Sequence, residues 1–421
     1  MRMAPVASRL SDVEPRRADG EGPLAPGARA AMVRLCAAGF VAYCSYAICR
    51  TPLLPLFARE LGAGPALIGF VIGASTVTGI LVKMPAGALS DVFGRRRLLV
   101  AGAVVFAAMP FTYLAASTLA VLVALRFVHG SATAIFGPVA SATLSDMAPA
   151  GKRGAWLSTY STAQGAGQAL GPVLAGYLIA AGRFDLAFVA AGVIGIAAPI
   201  VVASWRGTPG VGTHREPWRE CKRGIAEVGL DRLVLITSGA QAAQFVLNGS
   251  LNAFLPLYAR EQFGLTATDL GWLFGIQTLT TLSVRPGIGY LSDRVGRRWV
   301  IVTGLVVCSA AVLSISIATN GAQVVIAVLA YAAGVATTTA ATSASITDMT
   351  RRARYGAAHG VFGTIYDVGD ALGPIVAGIL VAAVGYTRMF QIMAAVAFSM
   401  AGAFAMASRI GVARPVPPLS M

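Results

Sequence analysis

GALSDVFGRRR, residues 87–97, returns almost unchanged as GYLSDRVGRRW, residues 289–299. The phrases stand 202 positions apart, and other pairs keep that offset: SDM at 145–147 with TDM at 347–349, and GQALGPVLAG at 167–176 with GDALGPIVAG at 369–378. LPLFARE at 54–60 meets LPLYARE at 255–261 one residue out of register. Matches spread along the whole length argue for a duplication, and so for two equivalent halves.

Composition names the solvent of those halves. The 421 residues are 56% hydrophobic and 12% charged, with a mean hydropathy of +0.71; soluble domains carry about 25% charged residues. Such a chain cannot hide its apolar surface from water, and the lipid bilayer is its expected surroundings. A net charge of +15 would suit a nucleic-acid binder, but that function needs Lys and Arg clustered on a soluble domain. Here they lie between apolar runs, so no nucleic-acid partner is expected.

A helix needs about 20 apolar residues to cross the hydrocarbon core. Twelve stretches qualify as spans 1 to 12, near residues 32–57, 66–88, 98–116, 119–146, 154–181, 184–204, 232–258, 266–288, 298–317, 321–348, 356–383 and 387–408. The expected fold is an all-α polytopic membrane protein made of two six-helix bundles related by pseudo-twofold symmetry. Its parts are a disordered tail (1–31), a first bundle (32–204), a polar linker (205–231), a second bundle (232–408) and a short tail (409–421). With both ends placed inside, 25 of the 33 Lys and Arg residues fall in inner segments, four in outer loops and four within spans. That asymmetry is a positive-inside signal, and it puts both termini in the cytoplasm and the chain in the cytoplasmic membrane.

The cysteines, Cys36, Cys44, Cys49, Cys221 and Cys308, form no CxxC pair and no cluster with the three histidines. Free thiols in apolar stretches behave as small hydrophobes, so no metal site and no cofactor is expected.

GALSDVFGRRR resembles the loop signature between helices 2 and 3 of the major facilitator superfamily. LRFVHG at 125–130 resembles that family's helix-4 motif, with Arg126 as its arginine and His129 where Gln is frequent, and GQALGPVLAG resembles the helix-5 motif of its drug and metabolite antiporters. The resemblance covers residues 32–408 and implies alternating access, with helices 1, 4, 7 and 10 lining a central cavity. It also implies a gating role for Gly87, Asp91, Gly94, Arg95 and Asp146, repeated as Gly289, Asp293, Gly296, Arg297 and Asp348.

The motifs also have their own physics. Gly87 and Gly94 permit a tight turn and close helix approach. Asp91 can accept hydrogen bonds at a neighbouring helix N-terminus, and Asp146 is the natural partner of Arg95. The alternative is that these arginines only anchor topology. Gly167, Gly171, Pro172 and Gly176 leave a smooth, bendable face on span 5, suited to packing against the other half. Gly369, Gly373, Pro374 and Gly378 repeat it on span 11.

Ionisable groups at membrane depth are costly and usually functional. Of the 18 acidic residues only Asp367 and Asp370 fall deep inside a span, about 16 and 21 Å into span 11 at 1.5 Å per residue. Three apart, they share a helix face, and the adjacent Tyr366 joins them as a candidate of the substrate and proton pathway. Two carboxylates at that depth must be protonated, paired or facing water, so they suit a proton-coupling site, with a fixed Asp–Arg bridge as the alternative. Arg50 and Arg126 are the competing positive groups.

Tyr43, Tyr46 and Arg50 form one helical stripe, and Arg126, His129 and Thr133 another. Gln241, Gln244, Asn248 and Asn252 form a polar stripe on span 7, with a weaker one at Tyr331, Thr338, Thr342 and Ser345 on span 10. Lys83 and Arg285, 202 apart, lie near the inner ends of spans 2 and 8, where long stems snorkel to the interface.

No phosphate-cradling GxxxxGK[ST] loop is present, so ATP is not the expected energy source; no Ser-His-Asp, HExxH or paired catalytic set is present either, so an enzyme is not expected. The leading expectation is a monomeric secondary transporter that exports a small organic solute in exchange for protons. The alternative is uptake or facilitated movement of an anionic metabolite, and a membrane sensor is the reading least supported.

Overall fold

The computed structural model describes residues 27–149, 152–205, 231–350 and 355–411; within these, the side chains of residues 84, 85, 87, 88, 91, 92, 355–357 and 409–411 are not described. The tail to residue 26, the linker at 206–230 with Cys221 and the tail from residue 412 therefore lie outside the described residues, as do the surroundings of Gly87 and the side chain of Asp91.

Among the described residues the secondary structure is helical. Eight stretches are long and apolar enough to cross a membrane, and the last, Ala358–Ser408, holds two spans that meet at Gly385, where φ is 79°. Spans 5 (Arg153–Ala180), 7 (Arg232–Phe263) and 8 (Ala267–Val295) are as long but more polar. Span 1 starts at Ala28, inside the stretch expected to be tail, and is two helices, Ala28–Ile48 and Leu53–Glu60. Pro52 has no N–H to continue the ladder and disfavours helical backbone at Thr51. Arg50 thus lies in the break and not on a continuous stripe with Tyr43 and Tyr46, which corrects the sequence reading. The one-residue slip of the internal repeat falls across this same break.

Spans 1 to 6 pack together, as do spans 7 to 12, and the halves meet where span 2 (Pro65–Phe93) lies on span 11 and span 5 lies on span 8. Each contact is the pseudo-twofold image of the other. A methyl group built on Gly69 would stand 2.1 Å from the Pro374 carbonyl oxygen; one on Gly271, 202 positions later, would stand 2.6 Å from that of Pro172. Gly176 meets the Ala267 carbonyl as Gly378 meets that of Pro65. Lipid offers no hydrophobic drive between helices, so contact of this kind rests on van der Waals packing that small residues permit.

These glycine contacts sit at the end of the molecule opposite the basic loops. There one apolar core runs across both halves, joining Ile48, Leu53 and Leu54 to Leu251, Phe254 and Tyr258. At the basic end the cores separate by half: Leu35, Phe136 and Trp156 belong to one, Ile301 and Leu305 to another. Gly79, Gly287 and Gly289 have nothing within 4 Å of a built Cβ. The far end is closed and the basic end open. Gly289 accordingly makes no close helix approach, whereas Gly94 and Gly296 sit at φ 89° and 96° in the turns that open spans 3 and 9.

The span-5 motif also differs from expectation. A Cβ on Gly167 would meet the Phe40 carbonyl, and one on Gly171 would meet Ala47 and the Cys44 carbonyl, all within the same half. Gly176, Val173 and the carbonyls of Ala169 and Pro172 are the parts of the motif that touch span 8. Gly369 and Gly373 repeat the pattern against Ala242 and Val246 of span 7.

Adding a methyl at Gly69 should force spans 2 and 11 apart at the closed end, at a cost of about 1–3 kcal/mol. With Cys49, fully buried in the far-end core, as the sole cysteine, Gly69→Ala should raise its labelling rate by a water-soluble maleimide several-fold. An unchanged rate contradicts this packing account.

Candidate substrate and coupling site

Asp370 draws three spans together. Its carboxylate accepts hydrogen bonds from Arg50 Nη2 in the span-1 break at 3.1 Å, Thr76 Oγ1 of span 2 at 3.3 Å and Asn248 Nδ2 of span 7 at 3.3 Å. One turn earlier, Asp367 accepts from Lys83 Nζ of span 2. Both carboxylates are 7% exposed, and Arg50 and Lys83 come from the opposite half. Between them Tyr366 stacks on Phe245 with centroids 4.5 Å apart, and Lys83 Nζ stands 5.9 Å from the Tyr366 ring.

Lys83 does not snorkel toward the interface. A buried carboxylate across the half-to-half contact turns it inward, because an unpaired charge at that depth costs several kcal/mol. Arg285, its repeat partner, has no such acceptor: Gly165 occupies the position equivalent to Asp367 and faces Leu282. The Arg285 Nε is buried and unpartnered.

Arg126 is not the partner of either Asp. It is fully buried and bonds Ser75 Oγ of span 2 through Nη2, with its guanidinium 5.9 Å from the Tyr46 ring. His129 stands edge-on to Tyr46 at 5.0 Å, and its Nδ1 is 3.0 Å from the Tyr113 hydroxyl. Arg126 Nε and Nη1 and His129 Nε2 have no partner among the described residues. This group lies inside the first half, walled from span 11 by span 2, which passes close enough at Ser75 to require Gly130. Thr133 bonds the carbonyl of Gly130 in its own helix.

The span-7 stripe divides. Gln241 donates to Gln244 Oε1 at 3.0 Å and Thr339 Oγ1 at 3.1 Å, and accepts from Thr342. Gln244 donates to the Tyr331 hydroxyl at 3.3 Å. Both glutamines are buried and spend their polar groups on span 10, stitching the second half together. Asn248 reaches the carboxylate cluster, while Asn252 offers its backbone carbonyl to Thr51 Oγ1 at 3.4 Å.

At the basic end Arg95 Nη2 is 2.8 Å from Asp146 Oδ2. Arg297 is 3.0 Å from Asp348 and 2.5 Å from Asp293. These pairs tie each half's loop to its own half, and none of them crosses between halves.

Sequence reasoning placed the two carboxylates and missed Lys83 and Thr76 as their partners. The available signal was arithmetic: four cations and two carboxylates lie at membrane depth, so each carboxylate had a cation within the spans to meet.

Removing Asp370 alone would strand Arg50, so Asp370→Ala should destabilise the detergent-solubilised protein by about 3 kcal/mol, the scale for breaking a buried pair. The double variant Arg50→Met/Asp370→Ala should recover most of the loss of Tm. A double variant no more stable than the single would show that the pair does not carry the effect.

Comparison with known proteins places this architecture. The Major Facilitator Superfamily profile matches residues 35–237 and again 233–419. An uncharacterised MFS-type transporter of Methanocaldococcus jannaschii, MJ1560, is 23% identical over 82% of this chain and 89% of its own. The multidrug resistance protein MdtG of Salmonella paratyphi A is 25% identical over 82% of this chain and 87% of its own. Among solved structures, a bacterial homologue of the human lysosomal transporter Spinster, in an inward-facing and unoccupied conformation, superposes with a TM-score of 0.80 at 14% identity, covering 93% of this chain and 99% of that one. The fold, the repeated motifs and a profile match to both halves show that the chain belongs to the major facilitator superfamily, as a multi-pass membrane transporter and not an enzyme.

Proposed function

We propose that this transporter exports a small organic solute in exchange for protons, as a monomer in the cytoplasmic membrane with both termini cytoplasmic. The observation that carries the reading is the Lys83–Asp367 pair, with Arg50–Asp370 beside it: two ionic contacts in the interior, both spanning the halves. The concentration of Lys and Arg at the open end supports an inward-facing arrangement. The name of MdtG, a multidrug resistance protein similar over most of its length, supports export.

In this geometry Asp367 is ionised and holds Lys83. With the far end open, a proton arriving from outside neutralises that carboxylate and leaves Lys83 free, so the contact between spans 2 and 11 lacks its ionic component as the halves rock about the central site. Loss of the proton to the cytoplasm, once the basic end opens, restores the pair. Proton and conformation are thereby linked, because each access state favours a different protonation state of one buried group. Arg95–Asp146 and Arg297–Asp348 act as latches that keep each basic loop on its own half while that end is open. The close packing of Gly167 and Gly171 on span 1, and of Gly369 and Gly373 on span 7, keeps each half rigid as it moves.

A second reading, uptake or facilitated movement of an anionic metabolite, is favoured by one observation: interior cations outnumber interior carboxylates.

In proteoliposomes with an imposed pH gradient, the wild type should accumulate solute against its gradient. Asp367→Asn should abolish that accumulation while leaving solute exchange measurable. Accumulation by Asp367→Asn with the wild-type pH dependence would place the proton site elsewhere.

A further inference from the structure

The interior holds four cations, Arg50, Lys83, Arg126 and Arg285, and two carboxylates, Asp367 and Asp370. Both carboxylates are taken, by Lys83 and Arg50. Arg126 and Arg285 have no carboxylate among the described residues. Arg126 is fully buried at the closed end. Arg285 lies on the open side, partly exposed, between Leu282, which packs on Gly165, and the open stretch at Gly287 and Gly289.

We propose that the transported solute is an organic anion with an aromatic body, its acidic group held by Arg285 and Lys83 across the central cavity. The inference rests on the reading of this cavity as the solute site, and not on the direction or coupling of transport.

Three observations converge. Arg285 and Lys83 occupy equivalent repeat positions on spans 8 and 2, so they sit at matching depth in opposite halves. Lys83 Nζ stands 5.9 Å from the centre of the Tyr366 ring. Arg285 keeps a buried Nε–H with no acceptor, and an uncompensated cation and an orphaned donor at membrane depth are both costly. A carboxylate supplies the missing charge and matches the guanidinium fork. The stacked Tyr366–Phe245 pair offers an aromatic face beside that charge. A cationic solute would find both carboxylates occupied and a net positive interior.

The asymmetry with the first half sharpens the point. Asp367 neutralises Lys83, while Gly165 leaves Arg285 without a counter-charge. An anion bound at Arg285 is also positioned to compete with Asp367 for Lys83, which gives the solute a direct hold on the contact between spans 2 and 11.

The test is equilibrium binding to the purified full chain without any gradient, so its outcome is independent of proton coupling. The probes are 2-naphthoate, its neutral isostere 2-naphthamide, inorganic phosphate and tetraphenylphosphonium, read by thermal shift and by titration. The wild type should be stabilised by 2-naphthoate and not by the other three. Arg285→Gln should weaken naphthoate binding about tenfold, the scale of one charge-assisted hydrogen bond. Arg285→Lys should retain part of it. Because Arg285 has no hydrogen bond or ion pair with the described residues to lose, the unliganded Tm of Arg285→Gln should match or exceed that of the wild type, which separates a binding effect from a folding one. Absence of a naphthoate response in the wild type, an equal response to phosphate, a response to the amide or the phosphonium instead, or undiminished naphthoate binding by Arg285→Gln would each overturn the proposal.

Discussion

Two carboxylates buried on one helix face need counter-charges, and here those counter-charges come from the opposite half of the molecule. Asp367 and Asp370 are held by Lys83 and Arg50, so the energy of the interior depends on how the two halves face each other. A low-dielectric interior makes such pairs worth forming once the groups are buried, and makes an unpaired member expensive. The glycine-to-carbonyl contacts of spans 2 with 11 and 5 with 8 bring the halves close enough for those pairs to form. Close packing at the far end and ion pairing in the middle are thus one arrangement, and opening the far end puts both at risk.

The molecule is symmetric in its packing and asymmetric in its charge. The same carbonyls meet the same glycines in both halves, at Gly69 and Gly271, Gly176 and Gly378, Gly167 and Gly369. The carboxylates occur only in the second half, where Gly165 and Gln168 mark the vacant equivalents in the first. The repeated packing gives each half the same scaffold, and the titratable carboxylates stand on one side of it. Lys83 and Arg285 show the consequence, since identical positions in the repeat yield one paired cation and one free to meet a solute.

The fold was readable because its determinants are local and repeated: apolar length, glycine turns and basic loops recur at a fixed offset. The depth of Asp367 and Asp370 was readable for the same reason, since position along a helix follows from residue count. What the sequence hid was direction around the helix axis and the identity of neighbours. Lys83 and Arg126 both read as lone cations on apolar helices. One turns across the interface to a carboxylate, and the other stays among Ser75, Tyr46 and His129. Gln241 and Gln244 read as cavity lining because they belong to a polar stripe on span 7; span 10 supplies Thr339, Thr342 and Tyr331 as their partners. The break at Pro52 was visible as a proline, but its effect of lifting Arg50 off the helical stripe depended on where the chain resumed.

The central claim is that protonation of Asp367 biases which end of the transporter is open. It is tested most directly by double electron–electron resonance between spin labels at the far ends of spans 2 and 11, recorded from pH 8 to pH 5 in nanodiscs. The account predicts a far-end distance that lengthens as pH falls in the wild type. In Asp367→Asn, whose side chain has no charge to lose, the distance should be long and insensitive to pH. A distance that responds to pH equally in both proteins, or in neither, would contradict it.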